Sequence, residues 1–184
     1  MKVTLLGDSI RQIGYGKRVE ELLGEDFEVF QPAENCRFAK YTLRMLYDYR
    51  EQMQGCDIVH WNNGLWDVCE LMDPEPFCSV DEYVSTMVRI AKILVSRHKV
   101  VIFATTTPVA PGHPFNRNEV INEFNEAVVP KLRELGVIIN DLGATIRSDV
   151  PTYITHDKIH LSPEGIEVAA RQVSDAILAA AKGI

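Results

Sequence analysis

Residues 1–10 read MKVTLLGDSI, and the way Val3–Leu6 gives way to Gly7-Asp8-Ser9 decides how the rest of the chain is read. The run Val3–Leu6 has the brevity and apolar character of a buried strand. It ends in a small residue, an acid and a serine. That ending suits a turn, and it also suits the seat of a nucleophile; on its own the stretch supports both.

Outward from this strand, short β-rich runs alternate with longer runs of helical period. Phe27–Phe30, Asp57–Trp61, Lys99–Ala104 and Gly136–Asn140 read as four further strands. Nearly continuous apolar strands belong in a parallel sheet covered on both faces. Between them, residues 80–97 carry Val84, Met87, Val88, Ala91, Leu94 and Val95 at three- and four-residue steps, behind a Ser79…Glu82 capping box. Residues 117–135 repeat the pattern with Val120, Ile121, Phe124, Val128, Leu132 and Leu135, and Pro130 is expected to kink or split that helix. The last helix starts at Ser162-Pro163, a cap followed by proline at the first helical position. The alternation predicts right-handed crossovers and a three-layer α/β/α sandwich of about five parallel strands, one domain over residues 1–184.

Bulk properties narrow the function classes. The 184 residues carry 46% hydrophobic and 24% charged residues and a net charge of −7. That balance disfavours nucleic acid or an anionic membrane as partner. No apolar run approaches the roughly 20 residues that cross a bilayer. The apolar stretch after Lys2 stops at Leu6, short of the roughly 7–15 residues of a signal-peptide core. Cys36, Cys56, Cys69 and Cys78 form no CxxC pair, and no histidine lies at a metal-ligand spacing from two of them. The expectation is a cytoplasmic protein with reduced thiols and neither a metal nor an organic cofactor.

In open parallel sheets, ligands bind beyond the carboxyl ends of the strands. Those ends carry Gly7-Asp8-Ser9, Pro32–Arg37, Asn62–Asp67, Thr105–Pro108 and His156–Ser162. Serine is a weak nucleophile until a histidine, oriented by a carboxylate, takes its proton. Asp157 and His160 lie three apart, so on a helical or 3₁₀-like turn they share a face. Asp157 can then hold one ring nitrogen of His160 while the other meets Ser9; His156 points elsewhere. An acyl-transfer site also needs donors for an oxyanion. The candidates are the Ser9 N–H, a side-chain amide from Asn62 or Asn63, and a backbone N–H near Asn35. The nucleophile elbow GxSxG is absent.

Gly7-Asp8-Ser9-Ile10 and Asp157-Lys158-Ile159-His160, followed by Leu161-Ser162-Pro163-Glu164-Gly165, resemble the first and fifth blocks of the SGNH, or GDSL, hydrolase superfamily. The two blocks sit at opposite ends of the chain, so the resemblance spans nearly all of it. It implies a flavodoxin-like sheet and a carboxylic ester hydrolase with Ser9, His160 and Asp157 as catalytic residues. The family's third block, usually GxND, falls on Trp61-Asn62-Asn63-Gly64; Asn62 matches its asparagine, with Asn63 the second choice. The second block usually supplies a glycine N–H. Here Asn35 takes that place, with Cys36 the other position, and asparagine tolerates the left-handed geometry that would turn its N–H inward.

Asp8, Arg11, Trp66 and Thr106 are candidate substrate-lining residues. Their polar character, with no long apolar groove, points to a short acyl group such as acetyl on a polar alcohol such as a carbohydrate. The competing readings are a lipase- or thioesterase-type acylhydrolase and a non-catalytic flavodoxin-like module in which Gly14-Tyr15-Gly16-Lys17 cradles a phosphate. Oligomeric state is not legible.

Overall fold

The first strand, β1 (Lys2–Leu6), is buried along Val3–Leu6 and lies near the middle of the sheet rather than at an edge. The computed structural model describes residues 1–184. Four more strands follow: β2 (Glu28–Phe30), β3 (Ile58–Asn62), β4 (Val100–Ala104) and β5 (Ile138–Asn140). All neighbours are parallel, in the order β2-β1-β3-β4-β5. Strand order therefore reverses between β1 and β3, the switch point outside which such sheets bind ligands. Leu6 pairs with Trp61 there, which sets Gly7-Asp8-Ser9 beside Asn62 and Asn63.

Seven helices cover the sheet: α1 (Gly16–Leu23), α2 (Ala39–Asp48), α3 (Val80–Val95), α4 (Asn118–Glu134), α5 (Leu142–Arg147), α6 (Val150–Tyr153) and α7 (Pro163–Ala181). α7 packs against α1, α5 and α6 on one side, and α3 packs against α2 and α4 on the other. A single cluster of 42 buried apolar residues joins both layers to the sheet, so no second core competes with it. This is the three-layer sandwich expected from the strand–helix alternation. No helix is long and apolar enough to cross a membrane.

The two cap signatures hold in detail. Ser79 Oγ accepts the Glu82 N–H while the Glu82 carboxylate accepts the Ser79 N–H, and Ser162 Oγ accepts the Gly165 N–H at 3.0 Å. Pro130 does not split the helix: α4 runs unbroken from Asn118 to Glu134. Pro130 removes one helical N–H, but the carbonyl it orphans belongs to exposed Glu126, which water can satisfy, and buried Val128 and Leu132 keep the helix seated on the core. The four cysteines are free thiols.

Candidate active site

Ser9 occupies the corner between the first strand and the first helical segment. It follows β1 and opens a wide helical turn, Ile10–Tyr15, that leads into α1. Asp8 fixes this corner from inside the protein. Its Oδ1 accepts the Ile10 N–H at 2.9 Å and the Asn62 side-chain N–H at 2.7 Å, and its carbonyl accepts the N–H groups of Arg11 and Gln12. Burial pushes the Asp8 carboxyl up to about 6, against the pull of the Ile10 N–H, the Asn62 amide and Arg11. Gly7 is there because nothing larger fits: a Cβ would stand 2.0 Å from Asn62 Oδ1 and 2.8 Å from Arg11 Cβ.

The chain's far end brings the partners. His160 Nε2 lies 3.0 Å from Ser9 Oγ, and His160 Nδ1 lies 2.6 Å from Asp157 Oδ2. Asp157 Oδ1 accepts the Thr155 hydroxyl at 2.6 Å and the N–H groups of Ile159 and His160 at 3.0 Å. Partial burial works against the Asp157 charge, but these hydrogen bonds and that of the His160 ring outweigh it and hold the carboxyl well below the usual range. The turn is not helical. Lys158 sits in the left-handed region at φ 72, and its carbonyl and side chain tie it to the neighbouring loop, with Ala110 N–H donating to Lys158 O at 2.8 Å and Lys158 Nζ to Gly112 O at 2.9 Å. Exposed His156 takes no part in this arrangement.

On the opposite side of Ser9, the loop of residues 32–38 is strapped to β1. Buried Arg11 donates to the carbonyls of Pro32 at 2.6 Å, Glu34 at 2.8 Å and Gly7 at 3.1 Å. Cys36 closes the strap from both its ends: its N–H donates to Gly7 O at 3.0 Å and its thiol accepts the Gly7 N–H at 3.2 Å. The Cys36 N–H is thereby spent. The N–H groups of Ser9 and Asn35 donate to no protein atom. Asn35 is not left-handed, as its stand-in for glycine suggested; the left-handed residue of this loop is Arg37, φ 49, and the Asn35 side chain accepts the Arg37 N–H at 2.7 Å.

The two asparagines after β3 part company, as successive strand residues must. Asn62 turns toward Asp8, with one amide hydrogen given to that carboxylate and its oxygen taken by the Tyr15 hydroxyl at 2.9 Å. Asn63 turns away, donating to Arg37 O and Thr42 Oγ1, and cannot serve Ser9 from there. Further along, buried Asp67 receives the Ala39 N–H on both carboxylate oxygens, at 3.0 and 3.2 Å, and so anchors the start of α2. Burial raises its carboxyl to about 7, with the Ala39 N–H and Cys78 thiol opposing and the Asp8 charge adding.

Ser9, His160 and Asn35 open into a cavity of about 340 Å³ whose other walls are Leu65, Trp66, Cys69, Leu71, His113, Phe115, Asn116 and Ile159. Of the lining residues expected from sequence, only Trp66, 41% exposed, is there. Asp8 and Arg11 lie beneath the site as its frame, and Thr106 is buried with its hydroxyl on Asn63 O at 2.8 Å. The lining is also more apolar than expected, because the polar residues at the strand ends turn inward to satisfy backbone. Gly16 serves close packing, since a Cβ there would meet Gln31 Oε1 at 2.4 Å and Arg11 O at 2.7 Å. His113, Phe115 and Asn116 escaped the sequence reading, although they lie in the long loop after β4, where a histidine beside a strand end is a signal in itself.

No protein-family model matches the chain, and no curated protein matches its sequence. Solved structures do match its fold. The acetyl xylan esterase AlAXEase superposes with a TM-score of 0.80 at 20% identity, over 96% of this chain and 100% of that one. The lipase/acylhydrolase from Enterococcus faecalis gives 0.80 at 18%, over 96% and 94%. Axe2, an acetylxylan esterase from Geobacillus stearothermophilus, gives 0.76 at 19%, over 94% and 91%. The five-stranded α/β/α fold is thus shared with these three proteins over nearly the full length of each.

Proposed function

We propose that this protein is a serine esterase that hydrolyses a short-chain, acetyl ester of a polar alcohol such as a carbohydrate. The observation that carries the reading is the relay Ser9 Oγ–His160 Nε2, 3.0 Å, and His160 Nδ1–Asp157 Oδ2, 2.6 Å, at the mouth of a cavity. Ser9 Oγ attacks the ester carbonyl as His160 Nε2 takes its proton. Asp157 keeps the ring's other proton on Nδ1 and stabilises the imidazolium. The carbonyl oxygen, now an oxyanion, is met by the N–H groups of Ser9 and Asn35 and by the second amide hydrogen of Asn62. His160 then protonates the departing alcohol. Water, deprotonated by the same nitrogen, releases the acid from Ser9. No step calls on a metal or organic cofactor.

The names of the structural neighbours, acetyl xylan esterases among them, support an acetylated carbohydrate as substrate class. The apolar walls Leu65, Trp66, Leu71 and Phe115 favour a second reading, a longer acyl chain of the kind a lipase/acylhydrolase takes. A series of 4-nitrophenyl esters separates the two. Turnover should be highest for acetate, fall with chain length, and vanish in Ser9→Ala. A maximum beyond about eight carbons supports the second reading, and full activity in Ser9→Ala defeats both.

A further inference from the structure

Two side chains on the cavity wall, His113 and Asn116, have one polar atom each that the fold uses and one that it does not. His113 Nδ1 accepts the N–H groups of Phe115, at 3.3 Å, and Asn116, at 3.0 Å. A ring nitrogen that accepts two N–H groups carries no proton, so the proton of the neutral ring sits on Nε2. Burial keeps the ring below the ordinary histidine range, against Asp157 and with Lys158 and His160, and so keeps it neutral. Nε2–H is a donor with no partner in the protein. Asn116 donates through Nδ2 to Leu65 O at 2.8 Å, which fixes its amide orientation. Its Oδ1 meets no donor and is not sealed from solvent, so it faces the cavity as an acceptor.

Besides the groups around Ser9 and Asn35, this wall of the cavity therefore offers one fixed donor and one fixed acceptor, and no Asp, Glu, Lys or Arg lines the cavity. A carboxylate or phosphate would need donors only, and an ammonium acceptors only. A hydroxyl donates and accepts, and so fits both. We infer that His113 and Asn116 select the alcohol half of the substrate by its free hydroxyls, which makes the preferred substrate a sugar ester that still carries unesterified hydroxyls. The inference rests on the esterase reading above and adds to it the residues that choose the alcohol.

The test compares kcat/KM on two monoacetylated methyl glycosides, one with its other hydroxyls free and one with them O-methylated. The wild type should prefer the free form, by about three- to tenfold for each hydrogen bond made. His113→Asn keeps an acceptor where Nδ1 stood and drops the Nε2–H donor; its preference should shrink by about three- to tenfold, through KM. His113→Gln returns an N–H near the Nε2 position and should restore it. A preference unchanged in His113→Asn, or a wild-type ratio near one, overturns the inference; the wild-type ratio decides the matter alone if the variant does not fold. Failure of the wild type on both glycosides and on 4-nitrophenyl acetate would instead take down the esterase reading itself, and the inference with it.

Discussion

Gly7 illustrates how single residues set this site. The glycine before Asp8-Ser9 is there for space: the Asn62 carboxamide fills the volume a methyl would need, with Oδ1 2.0 Å from the Cβ position. Gly7→Ala should therefore push Asn62 aside and lower kcat on 4-nitrophenyl acetate by about 10²–10³, the usual loss when one oxyanion donor goes. Unchanged kcat would mean that Asn62 has no part in the reaction. At this scale the sequence was legible where chemistry forced a residue type. Ser9, Asp157 and His160 could be named because a hydroxyl nucleophile needs a base, and a base needs an orienting acid. Asp8, Arg11 and Thr106 could not be placed, because a strand end fixes where a Cα lies and not whether its side chain turns outward or in. All three turn inward to carry loop backbone.

Among the elements, the turn of residues 155–160 departs most from its expected form. Spacing alone suggested a helical turn, since that is the common way to bring residues three apart together. The structure instead folds the chain around the Asp157 carboxylate, which gathers the Ile159 and His160 N–H groups, and accepts a left-handed Lys158 to do so. A left-handed non-glycine residue costs about 1–2 kcal/mol. Its exposed Nζ bond to Gly112 O returns little. Lys158→Gly should thus raise the thermal midpoint by about 2–4 °C, read by calorimetry; a lowered midpoint would show the Gly112 tie to be worth more than the strain. The strands β1, β3 and β4 and the long helices α3, α4 and α7 were legible because each buries an apolar run or stripe. α2 was not, since its buried face of Ala39, Thr42, Met45 and Leu46 is half small or polar, and α5 and α6 are too short to show a period.

Over the whole molecule, the parallel order β2-β1-β3-β4-β5 gathers residues from both ends of the chain at one switch point, and the price is buried charge near it. Asp67 is the clearest case. Its carboxyl is raised to about 7 in the fold, against 3.8 for the free group, so between those values the folded protein holds a proton that the unfolded chain releases. Its contribution is then fully present below pH 3.8 and is lost as pH rises through about 7. Asp67→Asn does not titrate, and its amide oxygen can still take the Ala39 N–H. Urea unfolding at pH 5 and pH 8 should show the wild type losing about 3 kcal/mol relative to this variant. A difference that does not vary with pH would mean the carboxylate stays charged throughout.

The fold and the relay meet in one claim, that Ser9 is a nucleophile activated by His160. A fluorophosphonate reacts with such a serine and spares an ordinary turn hydroxyl. Intact mass spectrometry after treatment should show one adduct on the wild type and none on Ser9→Ala. An unmodified wild type, or an adduct that persists in Ser9→Ala, would contradict the account.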